Sequence, residues 1–185
     1  YPFVMSHARA TEAWDVDGNR FLDFAAGIAV CSTGHAHPRV VKAVQDAAAK
    51  FLHISSDYWH EGQTRLGERI AGLVRMAEPA MSFFCQSGTE AVEAAIKLAR
   101  LHTPKHRYKI ITFEGGFHGR TLAATTATAQ PKYHEGLGPL MAGFVYCPYN
   151  DLDAVTKLID GETAAILVEP IQGEGGINVA PPGFL

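Results

Sequence analysis

Three short runs carry the residue types that could do chemistry: QSGTE at residues 86–90, EGGFHGRT at 114–121 and EPIQGEGG at 169–176. In the first, Ser87 stands three residues before Glu90, the spacing of a capping box. Gly88 and Thr89 then offer free backbone N–H groups at the positive end of a helix, where a phosphate is well provided for. A helix that is merely well capped explains the same residues. In the second run, glycines allow close backbone approach, Phe117 or His118 could lie flat on a planar ring, and Arg120 suits a bidentate grip on a carboxylate. A surface turn with its Phe tucked into the core is the competing reading. The third run puts Glu169 at a strand end and Glu174 in a loop, able to fix the polar edge of a cofactor ring, to pair with Arg120, or simply to be solvated.

Each run should follow an apolar segment: MSFFC (81–85), YKIITF (108–113) and TAAILV (163–168). With GFVYC (143–147), these read as strands apolar on both faces. They alternate with helices expected at 88–102 and 151–159, the pattern of a parallel sheet in an α/β layer architecture. Such strands share a carboxyl edge, and ligands bind in the crevice outside it. Upstream, residues 12–24 read as a hairpin around Asp17-Gly18-Asn19, and amphipathic helices are expected at 38–52 and 61–76. The change of rhythm near residue 60 suggests an N-terminal segment, 1–60, and the first half of an α/β domain, 61–185.

The 185 residues are 47% hydrophobic with a net charge of −3 and no basic run, which gives no footprint for nucleic acid or an anionic membrane. No stretch approaches a membrane span and no signal peptide is visible. Three scattered cysteines, Cys31, Cys85 and Cys147, fit buried, reduced thiols of a cytoplasmic protein. His35 and His37 form an H-x-H pair with no third ligand at a suitable spacing, so a metal is not expected. The Walker, G-x-G-x-x-G and G-x-S-x-G patterns are absent. Lys97 reads as a solvated helix lysine and Lys132 as a surface-loop lysine. The start on Tyr1 and the stop at Leu185 suggest a piece of a longer protein.

WDVDGNRFLDFAAGIAV, GHAHP, FFCQSGTEAVEAAIKLAR, FHGRT and VEPIQGEGG together resemble the class-III pyridoxal-phosphate-dependent aminotransferases of fold type I. GIAVCSTGHAHP, FHGRTLAATTATAQPKYHEGLGPL and CPYNDL look most like the acetylornithine/succinylornithine branch. The resemblance implies that Ser87, Gly88 and Thr89 bind the phosphate of pyridoxal 5'-phosphate, that Phe117 stacks on its ring with His118 beside it, and that Glu169 lies near its polar edge. It implies that Arg120 contacts the substrate carboxylate and that Glu174 gates the arginine receiving the alternating substrate. Ile28 matches a substrate-pocket position where the ornithine branch proper has tyrosine, which favours an acylated donor. The implied reaction is amino transfer to 2-oxoglutarate by a cytoplasmic homodimer, in arginine biosynthesis. A 4-aminobutyrate or other ω-amino acid aminotransferase, or a non-catalytic remnant that only binds the phosphate, is the alternative. The family's Schiff-base lysine and the aspartate facing the pyridine nitrogen would lie beyond Leu185, so residues 1–185 alone are expected to be inactive.

Overall fold

A computed structural model describes residues 2–55, 57–74, 76 and 80–185. The chain divides into two compact units, Tyr1–Ala80 and Met81–Leu185.

The first unit opens with an antiparallel three-stranded sheet, β1 (Met5–Arg9), β2 (Glu12–Asp15) and β3 (Arg20–Leu22), in the order β1-β2-β3. The expected hairpin is β2–β3, and β1 adds an edge strand beside it. Its turn is held by Asp15, whose Oδ1 accepts from Asp17 N at 3.0 Å and Asn19 N at 2.8 Å, while Gly18 takes φ +84°. The GIAV segment forms one left-handed turn, α1 (Ala26–Ala29), with φ of +48°, +63°, +63° and +59° through Ala26, Gly27, Ile28 and Ala29. Helix α2 (Pro38–Ala48) begins on its proline, whose missing N–H costs a helix start nothing. Helix α3 (Glu61–Ala71) ends at Gly72, short of the expected 61–76, a span that includes Arg75 outside the described residues. The expected helix from 38 to 52 likewise stops early, at Ala48.

In the second unit, helix α4 (Gly88–His102) leads to strand β4 (Lys109–Phe113) and short helix α5 (Leu122–Ala127). Strand β5 (Phe144–Cys147), helix α6 (Leu152–Leu158) and strand β6 (Thr163–Ile166) follow. A two-residue hairpin closes the unit, β7 (Ile171–Gln172) and β8 (Asn178–Val179). The three long strands form a parallel sheet in the order β5-β4-β6. Central β4 is buried on both faces, which is why its sequence shows no polar alternation. Ile111 and Phe113 pack with Cys147 and with Val155 of α6 on one face; Ile110 packs with Ile96 of α4 and Ala123 of α5 on the other. Helices therefore cover both faces, and the unit is a three-layer αβα arrangement.

One expected strand is absent. MSFFC is irregular, with Met81 97% and Phe83 76% exposed. An apolar run becomes a strand only where a neighbour takes its backbone hydrogen bonds, and none of the described strands pairs with it. The cysteines also divide: Cys147 is buried, whereas Cys31 and Cys85 are partly exposed, and all three are free thiols. No helix is long and apolar enough to cross a membrane among the described residues.

Candidate active site

The start of α4 is capped as its sequence requires. Ser87 Oγ accepts from Glu90 N at 3.4 Å, and Glu90 returns a carboxylate oxygen to Gln86 N at 2.7 Å. The amides of Gly88 and Thr89 have no protein acceptor among the described residues. The cap and the anion-ready amides therefore coexist, since the box uses only Gln86 N and Glu90 N.

Thr89 joins this helix start to the loop that follows β4. Its Oγ1 accepts from Arg120 N at 3.2 Å and Thr121 N at 3.3 Å, and lies 3.0 Å from Thr121 Oγ1. The contact is close enough to require glycine at 119: φ there is +131°, and a Cβ would stand 2.2 Å from Thr89 Oγ1.

The same loop is bound from its other side by the run after β6. Glu169 Oε2 accepts from Phe117 N at 2.9 Å. Its carboxyl is pushed above the ordinary glutamate value, chiefly by burial. Tyr149 donates its hydroxyl to Glu169 O at 2.9 Å and so fixes the backbone beneath that carboxylate. Buried Gln172 donates to Glu114 O at 2.8 Å, and Gly175 sits so close to Gly115 that a Cβ would lie 2.3 Å from Gly115 O. All three chemistry-bearing runs are thus tied into one rim, with the two that follow β4 and β6 at the carboxyl edge of the sheet.

Half-buried Phe117 meets the Tyr133 ring edge-on at 5.6 Å. His118 is 8% exposed, and its backbone N–H donates to Thr128 Oγ1 at 2.9 Å. Burial lowers its pKa to about 4, so the imidazole is neutral at pH 7. Arg120 is exposed, and among the described residues no carboxylate pairs with it.

Glu174 faces elsewhere than Arg120. It accepts from Gln130 Nε2 at 2.6 Å, Tyr133 OH at 2.7 Å and Lys132 Nζ at 3.0 Å. These donors, Tyr133 first, hold its pKa down at about 2. Lys132 has the exposed position expected of a surface-loop lysine, yet it also spans Glu174 and the face of the Tyr133 ring. Gln130 further donates to Gly115 O and Gly116 O at 3.2 and 3.0 Å. Sequence reasoning missed Gln130, Tyr133, Thr121, Glu93 and Gln172. The signals available were that Thr121 ends the EGGFHGRT run and that Gln172 stands inside the EPIQGEGG run.

Ile28 belongs to the other compact unit and is 87% exposed there on the left-handed turn. His35 in that unit meets Asp23 at 2.5 Å, and no group of three potential metal ligands occurs among the described residues.

The donor set fits a phosphorylated planar cofactor. Two unpaired amides at a helix start suit a phosphate, a half-buried aromatic suits a ring face, and a half-buried carboxyl suits a polar ring edge.

Comparisons with known proteins agree with that chemistry. The family Aminotransferase class-III matches residues 1–185. Over its whole length the chain is 47% identical to the acetylornithine aminotransferase of Caldanaerobacter subterraneus subsp. tengcongensis, covering 47% of that protein. It is 47% identical to the enzyme of the same name from Myxococcus xanthus, covering 46% of it. The chain therefore spans about half the length of the curated relatives it matches. Among solved structures, the ornithine aminotransferase of Toxoplasma gondii superposes on the whole chain with a TM-score of 0.89 at 31% identity, over 44% of its own length. A transaminase from the marine bacterium Virgibacillus superposes with a TM-score of 0.91 at 25% identity, over 45% of its length. The sequence match, the parallel-sheet architecture and the rim of joined loops lead to one conclusion: the chain belongs to the class-III aminotransferases, pyridoxal-phosphate-dependent enzymes of fold type I.

Proposed function

We propose that the whole protein moves an amino group from an acylated ornithine-type donor, N-acetylornithine first among them, to 2-oxoglutarate, using pyridoxal 5'-phosphate. The observation that carries this reading is the joining of three loops around unpaired helix-start amides, an aromatic ring and a carboxyl group. The relatives from Caldanaerobacter subterraneus and Myxococcus xanthus, both acetylornithine aminotransferases, support the choice of donor.

Bound pyridoxal phosphate supplies an electron sink that makes the bond to the donor's hydrogen labile. The roles of the chain's own residues follow from their surroundings. Gly88 and Thr89 amides receive the phosphate, assisted by the Ser87 hydroxyl and the dipole of α4. Phe117 would offer its ring to a face of the cofactor, and buried, neutral His118 would help hold the loop that carries it. Glu169, already bound to Phe117 N, faces the cofactor's polar edge. Arg120, exposed and without a carboxylate partner, receives the carboxylate of the substrate. Glu174, with its Lys132–Tyr133–Gln130 surround, is the acid that adapts the site to the alternating substrates, and Ile28 belongs to the donor pocket.

Residues 61–185 form the first half of the cofactor domain in this reading, and residues 1–60 belong to the smaller one. The lysine that bonds the cofactor and the aspartate that faces its ring nitrogen are contributed from elsewhere in the whole protein, and residues 1–185 alone are inactive. The protein acts as a homodimer in the cytoplasm, in arginine biosynthesis. Glutamate formation by the whole protein, with N-acetylornithine against 4-aminobutyrate as donor, tests the reading. Preference for acetylornithine supports it. Preference for 4-aminobutyrate would move the protein to the ω-amino acid enzymes, and no turnover with a bound cofactor would leave a binding protein only.

A further inference from the structure

Helix α4 reaches the loop after β4 a second time, one turn beyond Thr89. Glu93 Oε1 accepts the Thr121 hydroxyl and, at 3.3 Å, Ala124 N. A carboxylate has no proton to give, so the direction of this bond is fixed: Thr121 donates. Thr121 Oγ1, its own proton committed, can only accept from Thr89 Oγ1, 3.0 Å away. The Thr89 hydroxyl therefore spends its single proton on Thr121, while its oxygen takes the amides of Arg120 and Thr121. Every hydrogen-bonding position of that hydroxyl is accounted for within the protein. Ser87 differs: its oxygen accepts from Glu90 N, and its proton has no protein acceptor among the described residues.

We propose that Glu93 is a positioning residue for the cofactor site. It sets the direction of the Thr89→Thr121→Glu93 relay and locks the loop carrying Phe117 and Arg120 to the start of α4. It also leaves the phosphate to the Ser87 hydroxyl and the amides of Gly88 and Thr89, not to the Thr89 hydroxyl. The inference rests on the proposed function, because it concerns the same phosphate site. What it adds is a division of labour between two neighbouring hydroxyls that sequence alone treats alike. Glu93 takes no direct part in holding the phosphate in this arrangement. It acts through Thr121, Thr89 and the backbone of residues 119–121.

Two readouts on the whole protein test this. In the ligand-free state, Glu93→Ala should speed hydrogen exchange at the Arg120 and Thr121 amides by about fivefold or more, with mid-α4 amides unchanged. Pyridoxal phosphate titrated by absorbance should bind about fivefold to tenfold more weakly. Glu93→Gln keeps an acceptor oxygen and should restore most of both values, which a purely electrostatic role for the carboxylate would not allow. Thr121→Ala breaks the relay at its middle and should reproduce the losses of Glu93→Ala, so the test survives if one variant folds poorly. Unchanged exchange and affinity in Glu93→Ala would overturn the inference while leaving the proposed function intact, as would a Glu93→Gln protein as impaired as Glu93→Ala. Faster exchange with unchanged affinity would overturn the part concerning the phosphate site. A wild-type protein that binds no pyridoxal phosphate would overturn the proposed function, and with it this role for Glu93.

Discussion

Glu169 Oε2 accepts the backbone N–H of Phe117 at 2.9 Å, across 52 residues of sequence. The acid after β6 thereby sets the height of the aromatic after β4. A side chain–backbone bond of this kind is insensitive to the identity of residue 117 but depends on the length of residue 169. The rim is assembled from several such bonds, and its behaviour can be tested one bond at a time.

Gly119→Ala should displace the loop from α4. Its Cβ would meet Thr89 Oγ1 at 2.2 Å, in a backbone conformation that L-residues rarely adopt. A loss of roughly 2–4 kcal/mol in unfolding free energy is expected. Gly136→Ala provides the comparison, since φ is +76° there but nothing lies within 4 Å of the added methyl. It should cost only about 1 kcal/mol, the left-handed term alone. Urea denaturation of the two variants measures the difference, and equal losses would mean that the Thr89 contact is easily relaxed.

Acid should weaken the fold through His118. Its value falls from 6.5 to about 4 on burial, so between these pH values the unfolded chain binds a proton that the folded protein does not. Stability therefore rises with pH across that window and is lost as pH falls through it. Between pH 7 and pH 5 the loss attributable to this residue is on the order of 2 kcal/mol. His118→Gln should remove that part of the pH dependence, as read from denaturation midpoints at the two pH values.

Glu174 acts in the same direction at lower pH. Its value is lowered from 4.5 to about 2, with the Tyr133 hydroxyl as first cause, so its contribution to stability is complete above about pH 4.5 and fades as pH falls toward 2. Tyr133→Phe should raise the Glu174 value toward the ordinary glutamate range while the Lys132 contact persists. Carboxyl-carbon NMR titration reads this directly. A Glu174 that still titrates near 2 in the variant would assign the shift to Gln130 and Lys132.

Gln172→Leu should loosen the joint between the loops after β4 and β6. Gln172 is 2% exposed; it donates to Glu114 O at 2.8 Å and accepts from Asn178 Nδ2 at 3.2 Å. Leucine fills a similar volume but leaves Glu114 O without this donor, while Asn178 Nδ2 keeps Gly175 O at 3.0 Å, at a cost of about 1–3 kcal/mol. The thermal midpoint should drop, and hydrogen exchange should quicken at residues 114–117 without change in central β4. Uniform quickening across the sheet would instead mean global destabilisation.

Sequence by itself determined what depends on neighbours along the chain. The helix beginning at Gly88 was legible because Ser87 and Glu90 cap it within one turn. Strand β4 was legible from its β-rich run KIITF, and the 15–19 turn from its Asp, Gly and Asn. The family motifs were legible because the glycines at 119 and 175 are demanded by contacts too close for any side chain. Tertiary structure alone decided what depends on partners far away. MSFFC has the composition of a strand but no described strand pairs with it, and backbone hydrogen bonds, not hydrophobicity, make a strand. Glu174 was free on paper to meet Arg120, yet it is held by Lys132, 42 residues away, together with Tyr133 and Gln130. Glu93 gave no local sign of its link to Thr121, 28 residues further on. Such pairings are set by where the sheet brings its loops, and no periodicity of 2 or 3.6 residues encodes them.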